Sequence, residues 1–161
     1  MSARGQFAVV RTSGIVARLI RLVTRSKWNH AFLLLDDNLY VEANPSGATY
    51  GRSPYAIQEL SNLDLSPAQA DQIHTAALGL VGTPYGFLDI LSIGLLQYGI
   101  KPGFVRRRVA RSDRLICSQL VAEAYRRAGV CLFSDARLPM DVTPGDLDRL
   151  INAPIHADTA R

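Results

Sequence analysis

The sequence predicts an α+β domain in which a small antiparallel sheet packs against helices. Two strand-like runs, HAFLLL (30–35) and LYVEA (39–43), flank the polar turn 36–38 and read as a hairpin. A helix start is written into Ser66-Pro67-Ala68-Gln69, where Ser66 caps, Pro67 suits the first helical position and Gln69 completes a capping box. Helical segments outnumber the strands, and the strands are short, which sets the class.

Taken in order, residues 6–12 (QFAVVRT) read as a short strand broken by Ser13 and Gly14. Ile15 to Arg25 reads as an amphipathic helix, with Ile15, Leu19, Leu22 and Val23 on its apolar side and Arg18, Arg21 and Arg25 opposite. The hairpin follows. Residues 44–55 (NPSGATYGRSPY) are rich in Gly, Pro, Ser and Asn and read as a loop. The capped helix should run from Pro67 to about Val81 and stop at Gly82. Phe87 to Ile100 is an apolar run that reads as a buried helix, since a bilayer span needs about 20 residues. Arg106 to Arg114 is a basic connector, and a strong helix covers Leu115 to Gly129. Thr143-Pro144 opens a short last helix with Asp146 in its first turn. The tail after Ala153 reads as loose. With no internal repeats, 161 residues suit one domain spanning 1–161.

Composition narrows the function classes. A hydrophobic fraction of 48% with 20% charged residues belongs to a globular chain, not a disordered one. The net charge of +4 suits an anionic partner such as nucleic acid, phospholipid or cell-wall polymer without choosing among them. Two cysteines, Cys117 and Cys131, make no disulfide framework, and no CxxC or Cys/His cluster suggests a metal. A reducing compartment follows, and the N-terminus lacks a secretory apolar region, so a cytoplasmic protein without transmembrane segment is expected. The arginines 106, 107, 108, 111 and 114 form a basic cluster that a non-catalytic binding module could use on phosphates. No recognition motif or interleaved aromatics accompany it, which argues against nucleic acid.

Chemistry points to Cys117, which falls in the first turn of the 115–129 helix, where exposed N–H groups and the helix dipole favour a thiolate. The same position also suits a small buried apolar residue, because Cys117, Val121, Ala124 and Ala128 share one helical face. A thiol nucleophile needs a base. His74 sits inside the capped helix and His156 in the tail, whereas His30 opens the first hairpin arm, where it can be held rigidly. With a three-residue loop at 36–38, Leu35 faces Leu39, Phe32 faces Glu42 and His30 faces Asn44. His30 and Glu42 are then diagonal neighbours on one face, about 7–8 Å apart at the backbone. Glu42 could orient His30, Asn44 is the competitor directly opposite, and an edge glutamate pointing to water is the plain alternative.

These pieces together resemble the NlpC-type papain-like cysteine hydrolases. In that family a Gly-x-Pro-Tyr segment precedes a Cys-Ser-x-Leu-Val helix, as Gly82-Thr83-Pro84-Tyr85 precedes Cys117-Ser118-Gln119-Leu120-Val121 here. The order His30, Glu42, Cys117 is similar to the circularly permuted branch, which includes YiiX-type bacterial proteins and lecithin–retinol acyltransferase relatives. The resemblance spans residues 28 to about 147. It departs at the long arginine-rich spacer between Tyr85 and Cys117, at Ile116 where an Asp is common, and at the bulky Ala31-Phe32-Leu33. What it implies is a Cys117–His30–Glu42 triad without metal or cofactor, with Tyr85 lining the pocket and placed for the oxyanion. The implied partner is an amide- or acyl-bearing substrate, either a peptide, isopeptide or cell-wall stem peptide or, as runner-up, a lipid ester or thioester met at a membrane surface. A cell-wall role would need delivery by other means, such as a phage particle.

Overall fold

The computed structural model describes residues 3–36, 38–52, 55–86 and 114–152. The expected apolar helix 87–100, most of the basic connector and the tail from 153 lie outside the described residues. In chain order the elements are β1 (Phe7–Val10), α1 (Ile15–Thr24), β2 (His30–Leu34), β3 (Leu39–Asn44), β4 (Gly47–Arg52), β5 (Glu59–Leu60), α2 (Pro67–Leu78), α3 (Cys117–Arg127), a 3₁₀ turn (Pro139–Asp141) and α4 (Pro144–Asn152). The strands form one sheet in the order β4-β3-β2-β1-β5, with every pairing antiparallel. The class is therefore mixed α and β, with a small antiparallel sheet and, among the described residues, four α-helices.

The hairpin register follows from its turn. Asp36 Oδ1 accepts from the N–H groups of Asn38 (2.9 Å) and Leu39 (2.8 Å), so the carboxylate holds the reversal, and Leu35 N–H closes it on Leu39 O at 2.8 Å. Phe32 consequently lies opposite Glu42, Leu33 opposite Val41 and Leu34 opposite Tyr40. One face of the sheet, carrying Phe7, Val9, Leu33 and Val41, packs on Ile73 of α2 and on Leu120, Val121 and Tyr125 of α3. The other carries Ala8, Val10, Phe32, Leu34 and Tyr40 and is covered by Tyr55. Central β2 is thus buried on both faces, which explains its unbroken run of apolar residues after His30.

Two helices are fixed by their ends. Ser66 and Gln69 form the expected capping box on α2, which ends at Leu78 rather than Val81; a turn carries the chain on to Gly82. On α3, Gln119 Oε1 accepts from Ile116 N–H at 3.1 Å and Gln119 Nε2 donates to Met140 O at 2.9 Å. Ser118 Oγ donates to Val142 O at 2.7 Å. These buried polar side chains tie the start of α3 to the segment around the 3₁₀ turn. At its far end Gly129, with φ +70°, lets Val130 N–H reach back to Tyr125 O at 2.9 Å and stops the helix. Tyr125 Oη donates to Gly5 O, and its ring meets Phe7 edge-on at 6.1 Å, which locks α3 to β1.

Three expectations are corrected. The stretch 44–55 is not all loop: Gly47–Arg52 forms β4, paired residue for residue with β3. Asn44 Oδ1 accepts from Ser46 N–H at 2.9 Å, and Gly47 at φ +111° turns the chain back, so the turn-rich composition concealed an edge strand. The two-residue strand β5 beside β1 was likewise not anticipated. The third correction is α1. Its inward contacts are Ala17 and Ile20, while Ile15, Leu19 and Leu22, the apolar side read from the sequence, are exposed. Amphipathicity gives a helix two faces, and the position of β1 and β2 decides which one turns inward; the side chain of Val23 lies outside the described set.

Candidate active site

The starts of β2 and α3 meet. His30 is the first residue of β2, and Cys117 is the first of α3. His30 Nε2 lies 2.5 Å from Glu42 Oε2. Cys117 stands close enough to the same imidazole to raise its pKa. All three residues are buried, Cys117 at 2%, His30 at 9% and Glu42 at 4% exposure. The hairpin register accounts for the His30–Glu42 approach, because Glu42 faces Phe32 and the two side chains cross on one diagonal.

The electrostatics follow from this packing. Burial pushes the His30 pKa down, but hydrogen bonds to Cys117 and Glu42 and the charges on both outweigh it, and the ring is raised from 6.5 to about 9. Burial likewise works against a charged Glu42. Hydrogen bonds from His30 and Asn44, the charge on His30 and the Tyr40 hydroxyl nevertheless hold its carboxyl below the usual range. Both carboxylate oxygens are occupied: Oε2 by His30, Oε1 by Asn44 Nδ2 at 3.0 Å and by Tyr40 Oη at 3.4 Å. A buried imidazolium needs such a satisfied counterion, since leaving one partner of a buried pair alone costs several kcal/mol, on the order of 3–5.

Asn44 therefore does not compete with Glu42 for His30. It donates to Glu42 and to Thr49 Oγ1 (3.3 Å), and so reaches the imidazole only through the carboxylate. Nothing places it at an oxyanion. Tyr85 stands beside Cys117: burial first, then the negative charges of Cys117 and Glu42, raise its phenol well above the ordinary range. Its ring packs with Ile20 and Ile116. The Gly82-Thr83-Pro84-Tyr85 segment is tied down on both sides. Ala48 N–H donates to Thr83 O and Gly82 N–H to Ala48 O, both at 2.8 Å, while Leu115 N–H donates to Pro84 O (3.0 Å) and Gly86 N–H to Leu115 O (3.1 Å).

The sequence reading missed several neighbours. Asn29 sets its carbonyl 4.0 Å from Cys117 Sγ, and its side chain is fixed by Thr12 and by Arg21 Nη1 at 2.7 Å. Phe32 and Tyr55 pack on the His30 ring at 6.3 and 5.3 Å between centroids. Tyr40 was legible, since it alternates with Glu42 and Asn44 along β3; Tyr55, beyond β4, carried no such signal. His74, by contrast, lies against Leu35 O, away from this cluster. Among the described residues no group of three His, Cys, Asp or Glu side chains stands close enough to hold a metal ion, and no helix is long and apolar enough to cross a membrane. Compared with models of known families and with curated proteins, the chain matches none.

Proposed function

We propose that the chain is a cysteine hydrolase of the circularly permuted papain-like kind, cleaving an amide bond of a peptide, isopeptide or cell-wall stem peptide with Cys117 as nucleophile. The observation that carries this reading is the buried His30–Glu42 pair, 2.5 Å apart on two adjacent strands, with Cys117 near the same imidazole at a helix start. His30 already holds the proton as an imidazolium, and the Cys117 sulfur attacks the carbonyl carbon. The oxyanion forms near the first-turn N–H groups of α3, which have no partner within the helix, and near Tyr85. The tetrahedral adduct collapses; His30 gives its proton to the departing amine, and a thioester remains on Cys117. Water, deprotonated by His30, then attacks the thioester, releasing the acid and the sulfur and leaving the proton on His30. Glu42 keeps the ring oriented and its charge countered throughout. Two cysteines that are not joined in a disulfide fit a reducing compartment such as the cytoplasm.

An activated acyl ester such as p-nitrophenyl acetate, followed by intact-mass and peptide mapping, tests the reading. The expected result is a burst of product and one acyl group on Cys117 that Cys117→Ala abolishes. Acylation confined to other residues, or no adduct at all, would remove Cys117 as nucleophile.

A further inference from the structure

We propose that the outward face of α1 docks on an anionic lipid bilayer. The proposal stands on α1 and not on the chemistry of Cys117. Ile15 is 86% exposed, Leu19 41% and Leu22 67%. At helical spacing these three form one apolar ridge pointing away from the domain. Arg18, read from the sequence as opposite the apolar side, is exposed one step round the helix from Ile15 and Leu22. A helix with a leucine–isoleucine ridge edged by arginine has the build of an interfacial helix lying in the plane of a membrane. The long arginine stem lets its apolar part follow the ridge while the guanidinium stays at headgroup level.

Charge selects the occupant. Residues 11–28 carry five cations (Arg11, Arg18, Arg21, Arg25 and Lys27) and no Asp or Glu; Lys27 stands 4.0 Å from Asp148, and Arg21 is bonded to Thr12 O and Asn29 Oδ1. A second copy of the chain seated on the same face would set two such cationic stretches against each other. An anionic bilayer offers an apolar interior to the ridge and a field of negative charge to exposed Arg18 beside it. The placement also serves the candidate site. Ile20, on the inward side of α1, packs on Ile116 and Tyr85, and Arg21 holds Asn29, whose carbonyl faces Cys117. A docked α1 would bring the neighbours of Cys117 within about one helix diameter, ~10 Å, of the lipid surface.

Co-sedimentation of the full chain with vesicles decides the matter. Wild type should pellet with vesicles of equal parts phosphatidylglycerol and phosphatidylcholine and not with phosphatidylcholine alone. Leu19→Asp/Leu22→Asp should weaken binding by at least about tenfold, since the ridge supplies the apolar contact. Arg18→Gln should weaken it several-fold and flatten its dependence on salt. Leu22→Trp, a change at an exposed position, should give a blue-shifted emission on anionic vesicles. The rate of Cys117 alkylation should be unchanged by Leu22→Asp, which separates failure of docking from failure of the active-site reading. No binding, equal binding to neutral vesicles, or binding that survives Leu19→Asp/Leu22→Asp would overturn the proposal. So would a dimer without vesicle binding that Leu22→Asp disperses, because the ridge would then be a contact between copies.

Discussion

The two cysteines bracket one helix and differ in everything but the element. Cys117 begins α3, is buried, and has the Asn29 carbonyl 4.0 Å from its sulfur and the His30 ring nearby. Cys131 follows Gly129 past the end of α3, is exposed, and donates to Phe133 O at 3.1 Å. A helix start presents N–H groups and favours an anion; a helix end presents carbonyls and does the opposite. Accessibility and activation therefore point to different sulfurs. If exposure alone governed reactivity, Cys131 would be the reactive one; if base and dipole govern it, Cys117 is.

The strongest way to break the comparison is deletion. Cys117→Ala should take any acyl-transfer turnover to background, while Cys131→Ala should keep full activity. Turnover retained by Cys117→Ala would end the assignment. The second way is a race at about pH 6, where an ordinary thiol is almost wholly protonated. Iodoacetamide should label buried Cys117 ahead of exposed Cys131 in the wild type. In His30→Ala the order should reverse, with Cys117 slowed on the order of a hundredfold. Unchanged order in that variant would dissolve the pairing of sulfur and imidazole.

Smaller effects sharpen the roles behind the sulfur. Glu42→Ala should slow turnover roughly 10–100-fold, Glu42→Gln less, and Asn44→Ala least, since Asn44 acts through the carboxylate. A larger loss from Asn44→Ala than from Glu42→Ala would reverse their order. The mildest test is stability against pH. The folded state holds the His30 proton up to about pH 9, whereas the unfolded chain releases it near 6.5. Protonation of His30 then stabilises the fold fully below about pH 6.5, and that contribution, on the order of 3 kcal/mol, fades as pH rises to about 9. Denaturant midpoints at pH 6, 7.5 and 9 should fall for the wild type and lack that fall in His30→Ala; parallel slopes would mean that His30 does not carry the proton.

Much of this was legible in the chain because local rules decided it. Asp36 and a three-residue turn set the register that brings Glu42 to His30, and Ser66-Pro67-Ala68-Gln69 set the start of α2. What escaped depended on partners distant in sequence. Gly47–Arg52 is a strand because β3 offers it a ladder, not because its residues favour extension. The orientation of α1 was invisible, since its periodicity is satisfied equally by a core or by an apolar surface. Tyr55 reaches the His30 ring from a segment whose composition says only turn.

The bridge between Tyr85 and Leu115 has a consequence for how such a chain can change over time. Gly86 and Leu115 are neighbouring points of the described fold, Gly86 N–H donating to Leu115 O and Leu115 N–H to Pro84 O. Those two points are held by the scaffold itself, one by β4 and the other by the start of α3. Closing a connection between fixed, adjacent ends costs only about 0.6 kcal/mol more for each doubling of its length. Cys117 therefore keeps its place at the start of α3 whatever the length of chain that joins these two points.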